Sequence, residues 1–165
     1  MRIIGIDPGS RFTGFGVIEA SGDRVSCVGH GVIKAGSGDF PGRLGIIFEG
    51  VRDLVIRYGP LEAAIETVFL SHNANSALKL GQARGAAVCA MISQGLAVSE
   101  YSPRSIKQAI VGRGSADKVQ VQHMVGVLLC LQEKLEEDAA DALAVALCHQ
   151  HTQQTVNRMR ALQKP

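Results

Sequence analysis

Four carboxylates stand where carboxylates are costly. Asp7 ends the apolar run Arg2-Ile3-Ile4-Gly5-Ile6 and is followed at once by Pro8-Gly9. Glu66 lies inside Leu61-Glu62-Ala63-Ala64-Ile65-Glu66-Thr67-Val68-Phe69-Leu70, a second largely apolar stretch. Desolvating such a group needs compensation. Asp138 and Asp141 are three residues apart, so on a helix they share one face, and Ala139, Ala140, Ala142 and Ala144 around them let that face lie close against a sheet. Each acid alone has an ordinary explanation. Aspartate before Pro-Gly commonly caps its own turn, and Glu136, Glu137 and Asp138 suit the first turn of a helix. Asp141, further in among apolar neighbours, fits that account poorly. Two acids on buried strands and two on one helical face point to a shared site.

Convergence would have a chemical consequence. Two carboxylates about 5 Å apart repel by about 3 kcal/mol at an effective dielectric near 20. Several such pairs cannot all stay ionised without cations, so one or more pKa values should rise in the metal-free chain. Hard oxygen donors of this kind suit Mg²⁺, with Mn²⁺ as a natural substitute. Two ions roughly 4 Å apart can clamp the attacking water and the leaving oxygen of a phosphodiester. The residues therefore predict metal-dependent phosphoryl chemistry, with two Mg²⁺ per site.

The elements that must hold these acids follow from periodicity. The isoleucines of residues 2–7 predict a strand buried on both faces, stopped by Pro8-Gly9. Residues 12–20 and 24–34 predict antiparallel strands joined at Ser21-Gly22-Asp23. Gly14 and Gly16 fall on one face of the first of these, where substrate, a bulge or close packing could use the missing side chains. Residues 43–58 predict an amphipathic helix stopped by Gly59-Pro60. A strand over 61–70 carries Glu66. Ser76 is placed to cap a helix to Ser93, rich in small residues. A strand over 97–101 precedes a helix from Pro103, broken by Gly112-Arg113-Gly114-Ser115. Further helices span 117–131 and 136–151. The expected organisation is one domain over residues 1–152 and a polar tail over 153–165 that frays.

Bulk composition is permissive. A hydrophobic content of 46% supports a full core, and no stretch approaches a signal peptide or a membrane span of about 20 residues. A soluble, cytoplasmic protein with no membrane partner is the expectation. The four cysteines, Cys27, Cys89, Cys130 and Cys148, are scattered without a C-x-x-C pair, and are expected to be reduced and mostly buried. Net charge is only +2, but it is unevenly spread. Residues 67–132 hold six basic residues against Glu100 and Asp117, whereas residues 133–141 hold five acids against Lys134. Such asymmetry suits a polyanion held by cations and cut at a metal site, and equally an ordinary mixed surface.

Several longer motifs carry a resemblance. Gly5-Ile6-Asp7-Pro8-Gly9-Ser10, the Ala64-Ile65-Glu66 strand with Val68-Phe69, and Asn75-Ser76-Ala77-Leu78-Lys79-Leu80-Gly81-Gln82-Ala83-Arg84-Gly85 come first in the chain. Gln120-Val121-Gln122-His123-Met124 and Asp138-Ala139-Ala140-Asp141-Ala142-Leu143-Ala144 follow. In this order, over residues 2–150, the sequence resembles the RuvC Holliday-junction resolvases. The resemblance implies an α/β, ribonuclease-H-like fold with a mixed five-stranded sheet flanked by helices. It implies a homodimer that resolves four-way DNA junctions by paired symmetric nicks, leaving 5′-phosphate and 3′-hydroxyl ends, in recombination and repair, with a RuvA–RuvB branch-migration complex as partner. Asp7, Glu66, Asp138 and Asp141 match the family's catalytic metal ligands. Lys107 and Lys118 match positions that engage DNA near the cut, and Phe69 the aromatic that stacks on a junction base. Taken on their own, a lysine is more often solvated surface and Phe69 more often core.

Other readings share parts of the pattern. Gly-Ile-Asp-Pro-Gly also occurs in the first phosphate loop of actin-like ATPases and sugar kinases, which need a second, repeated half that 165 residues do not contain. A ribonuclease-H-like nuclease acting on structured RNA would share fold and metals. A catalytically dead junction-binding module is argued against by the complete set of four acids.

Overall fold

The structure, a computed structural model, describes residues 1–22, 24–68, 73–133 and 135–162. Five strands form one sheet: β1 (Arg2–Asp7), β2 (Phe12–Ser21), β3 (Arg24–Lys34), β4 (Glu62–Glu66) and β5 (Val98–Tyr101), in the order β3-β2-β1-β4-β5. β1, β2 and β3 run antiparallel in succession, while β1–β4 and β4–β5 are parallel, so the sheet is mixed as expected. The helices are α1 (Phe40–Tyr58), α2 (Ala74–Ser93), α3 (Pro103–Val111), α4 (Lys118–Leu128) and α5 (Glu137–Leu162).

Strand alternation divides the core in two. Ile4, Ile6, Val17, Ala63 and Ile65 pack against α1 and α2, through residues such as Ile47, Val51, Ala87 and Met91. Ile3, Ile18 and Ala64 face the other way, against α3, α4 and α5. Gly5 and Asp7 share that second face, as does Glu66.

Packing on that face is close. Gly5 pairs with Gly16 and Asp7 with Gly14 across β1 and β2. A methyl group on Gly14 would strike the Asp138 carbonyl, and one on Gly16 the Leu143 side chain and backbone. The absent side chains thus admit α5 itself, backbone against sheet. The irregularity in β2 falls at Val17/Ile18 rather than at the glycines. From Ala142 to Gln150 every residue of α5 is buried, which is how a helix apolar on all sides must sit.

Several boundaries differ from the sequence-based expectation. α1 starts at Phe40 because Asp39 accepts a hydrogen bond from the Gly42 N–H and Pro41 suits the first turn. The strand expected over 61–70 spans only Glu62–Glu66, so Glu66 is its last residue. Asn73, not Ser76, caps α2, accepting from the Asn75 and Ser76 N–H groups. Asp117 and Gln120 form a reciprocal cap on α4, which ends at Leu128 rather than Leu131. Residues 153–162 do not fray but continue α5: good helix formers follow Thr152 with no glycine or proline to stop them, and Gln154 Nε2 donates to the Gly22 carbonyl at 3.3 Å. The cysteines are free, but only Cys148 is buried; Cys89 and Cys130 are exposed, against expectation. Among the described residues, no helix is long and apolar enough to cross a membrane.

Candidate active site

Because β1 and β4 are parallel neighbours, with Ile6 opposite Ile65, their C-terminal ends bring Asp7 and Glu66 side by side. Ligands in α/β sheets gather at such strand ends. The Asp7 and Glu66 carboxyls lie close enough to share a proton. The turn after β1 is closed by Thr13, buried, whose hydroxyl donates to the Gly9 carbonyl at 2.8 Å. Asp7 is therefore directed to Glu66 while another side chain holds the turn.

Seating α5 on Gly14 brings Asp138 and Asp141 to the same corner. Asp7, Glu66, Lys107, Lys118 and Asp141 line one cavity of about 350 Å³, floored by Ile106, Val121 and Ala144. A larger hollow of about 590 Å³ lies along α4 and the segment after it, near His123 and Cys130, but holds a single carboxylate, Glu133. Chemistry rather than volume selects the smaller one.

The electrostatics match crowding. Burial, then the charges of Glu66 and Asp141, the hydrogen bond with Glu66 and the charge of Asp138 push the Asp7 carboxyl up to about 8. Burial also raises Glu66, opposed by the Asp7 hydrogen bond and by the charges of Lys118 and Lys107. Asp138 is raised by burial, with Lys118 opposing and Asp141 adding. In the metal-free chain the two strand acids titrate as a pair, and both carboxyls are held above the ordinary range. Lys118 Nζ lies 2.8 Å from Asp141 and also pairs with Glu137. Burial draws its ammonium down, but those two hydrogen bonds outweigh it and hold the pKa above the ordinary lysine range.

The structure thus gathers Asp7, Glu66, Asp141, Lys107 and Lys118 around one cavity, with Asp138 close enough to act on Asp7 but outside the lining. As the side chains stand, no three acidic, histidine or cysteine groups among the described residues enclose a common point; Asp141 faces Lys118 instead. Phe69 lies outside the described residues. Sequence reasoning missed Arg84, whose Nε donates to the Glu66 carbonyl at 3.3 Å while its guanidinium pairs with Glu100 at 2.7 Å. A cation inside the Gly81-Gln82-Ala83-Arg84-Gly85 run of small residues was the available signal.

The donor set fits a hard divalent cation. It is all carboxylate oxygen, half-buried, and so crowded that the Asp7 carboxyl is pushed up to about 8. Lys118 against Asp141 shows that positive charge is accepted there.

Sheet order and two-sided helical cover define a protein of the ribonuclease-H-like class. Comparison with known proteins narrows this. Residues 3–149 match the family model of the crossover junction endodeoxyribonuclease RuvC. The chain is 54% identical over 159 residues to the crossover junction endodeoxyribonuclease RuvC of Hahella chejuensis, covering 96% of this chain and 92% of the relative. It is 55% identical over 157 residues to that of Pelobacter propionicus, with coverage of 94% and 89%. The solved structure of T. thermophilus RuvC in complex with Holliday junction substrate aligns with a TM-score of 0.88 at 33% identity, covering 94% of this chain and 96% of that one. The chain belongs to the RuvC family of crossover junction endodeoxyribonucleases.

Proposed function

We propose that this protein resolves Holliday junctions by hydrolysing DNA phosphodiesters at the cavity between β1, β4 and α5, in recombination and repair. The observation that carries the reading is the half-buried Asp7–Glu66 pair, crowded by Asp138 and Asp141 so that the Asp7 carboxyl is pushed up to about 8. Asp7, Glu66, Asp138 and Asp141 are the residues that would hold Mg²⁺, two ions per site, with Mn²⁺ able to substitute. Bound there, the ions would supply Lewis-acid stabilisation of the phosphate and an activated water.

The chain's own residues divide the remaining work. Asp7 and Glu66 on rigid strand ends fix the position of the cut. Asp141 must leave Lys118 to join them, which frees a lysine beside the phosphate. Lys107, on the cavity wall, places a second positive charge where a phosphoryl transition state spreads negative charge over its oxygens. Phe69 is assigned to stacking on an unpaired base, a contact worth about 1–3 kcal/mol. A two-fold junction cut symmetrically, leaving 5′-phosphate and 3′-hydroxyl ends, calls for a homodimer. The reading assigns the protein to the cytoplasm, with a RuvA–RuvB branch-migration complex as partner.

Incubation with a labelled synthetic four-way junction and Mg²⁺, beside linear duplex and RNA–DNA hybrid, tests this. Paired nicks confined to the junction are expected; preferential cutting of the hybrid would assign the chain to ribonuclease chemistry instead.

A further inference from the structure

α5 rests close on the sheet, with Gly5 facing Ala142 and Ala146, Gly14 the Asp138 backbone and Gly16 the Leu143 side chain. Near the acids, Lys118 of α4 pairs with Asp141 and Glu137, contacts that tie α5 to a helix and not to the sheet. One turn beyond the alanines the packing changes in kind. His149, 2% exposed, carries a ring bonded at both nitrogens to two different strands. Its Nε2 lies 2.7 Å from Glu62 Oε2 on β4, and its Nδ1 2.8 Å from the Tyr101 hydroxyl on β5. The Tyr101 and His149 rings also meet edge to face, with centroids 5.7 Å apart. Nε2 pairs with the Glu62 carboxylate and Nδ1 with the Tyr101 hydroxyl, so both ring nitrogens are satisfied.

We propose that Glu62, His149 and Tyr101 form a positioning lock that sets the axial register of α5 on β4, and through it the placement of Asp138 and Asp141 over Asp7 and Glu66. Glu62 and Glu66 are four residues apart on β4, about 13 Å. His149 and Asp141 are eight apart on α5, about 12 Å. The two spans match, with His149 over Glu62 at one end and Asp141 sharing a cavity with Glu66 at the other. An offset at the lock is therefore transmitted to the acids undiminished. A slip of one residue would move Asp141 by about 1.5 Å, far more than a hydrogen bond tolerates. On the other side of α5, His151 Nδ1 lies 3.3 Å from the Ala109 carbonyl of α3, which steadies the helix against its helical neighbour but not against the sheet. The lock residues touch neither substrate nor metal; they act through the acids.

This inference rests on the proposed metal-binding role of the acids, and the test separates the two. Mn²⁺ binding is measured without DNA by isothermal titration calorimetry, as the metal concentration giving half saturation, with the melting temperature followed in parallel, for the full chain and its variants. Glu62, with a third of its side chain exposed, is the safest residue to change. Glu62→Ala should raise the midpoint about three- to tenfold, short of the 10–100-fold typical of groups bonded directly to ligands, while junction binding in EDTA stays unchanged. Glu62→Gln, which keeps an acceptor, should return to within about twofold of the parent. Tyr101→Phe keeps the ring and should shift the midpoint in the same direction as Glu62→Ala, by less. A parental Mn²⁺ midpoint in both Glu62→Ala and Tyr101→Phe, whatever happens to the metal-free melting temperature, overturns the lock. Absence of any Mn²⁺ binding in the parent chain overturns the metal role of the acids, and the lock with it.

Discussion

Glu62 and Glu66 sit four residues apart on the same face of the same strand, under the same helix, and their surroundings differ in kind. Glu62 accepts from a buried histidine that is itself satisfied by a tyrosine. Glu66 meets another acid, with two more carboxylates acting on the pair. The first arrangement is electrostatically complete and needs nothing from outside. The second is tolerable only with a bound proton or a bound cation. Buried polar groups that find partners set geometry; those that cannot mark where the chemistry happens.

That contrast can be broken or sharpened in steps. The largest effect belongs to Asp7→Asn, which should lower junction nicking in Mg²⁺ by at least about 10³-fold while leaving junction binding in EDTA intact; Mg²⁺-dependent nicking near the parental rate would remove Asp7 from the site. Lys107→Ala should slow nicking roughly 10–100-fold and weaken junction binding much less. Equal losses in rate and affinity would make it a contact that only positions DNA.

Gly14→Ala probes how α5 is seated, since the methyl group would meet the Asp138 carbonyl. A loss of about 1–3 kcal/mol in stability is expected by urea unfolding, together with slower nicking, and a neutral outcome on both would show that the helix is not held against the sheet there.

Asp7→Asn has a second consequence, in the metal-free chain. The folded-state pKa of Asp7, about 8, lies above its ordinary 3.8. The folded chain therefore holds the proton more tightly than the unfolded one, and Asp7 costs stability increasingly as pH rises from about 4 to about 8. Replacing it should raise the melting temperature by on the order of 10 °C above pH 8, at about 1.4 kcal/mol per pKa unit and roughly 2–4 °C per kcal/mol for a chain of this size, and by almost nothing near pH 4. An unchanged or lower melting temperature at pH 9 would contradict the crowding. The smallest effect is assigned to Lys118→Met, which removes the internal cation from Asp141. The Mn²⁺ midpoint without DNA should fall by about threefold, the size of a partly exposed ion pair of about 0.7 kcal/mol, even though nicking slows.

Much of this architecture was legible in the sequence because the signals were local. The isoleucines and Pro8-Gly9 marked β1 and its end, and Gly59 and Gly112 the ends of α1 and α3. Glu66 was found because a charged residue interrupts an apolar run. What escaped depended on partners far away in the chain. Gly14 and Gly16 showed that something approaches β2, but not that it is α5. His149 lies 87 residues from Glu62 and 48 from Tyr101, and nothing in a run of alanines and histidines announces that pairing. Asn73 displaced Ser76 as a cap because both types cap helices and the choice is made by tertiary position. The helix beyond Thr152 hides behind a polar composition that suggests fraying, although no stop signal is present.

The central claim is that the strand acids are crowded beyond what water and neighbouring lysines neutralise, so that a divalent cation is required. Following the Asp7 side-chain carboxyl by ¹³C NMR through a pH titration, without metal and with Mg²⁺, tests it most directly. Titration near 8 without metal, falling well below 4 once Mg²⁺ is added, is the predicted result. Titration near 4 in both conditions would contradict it.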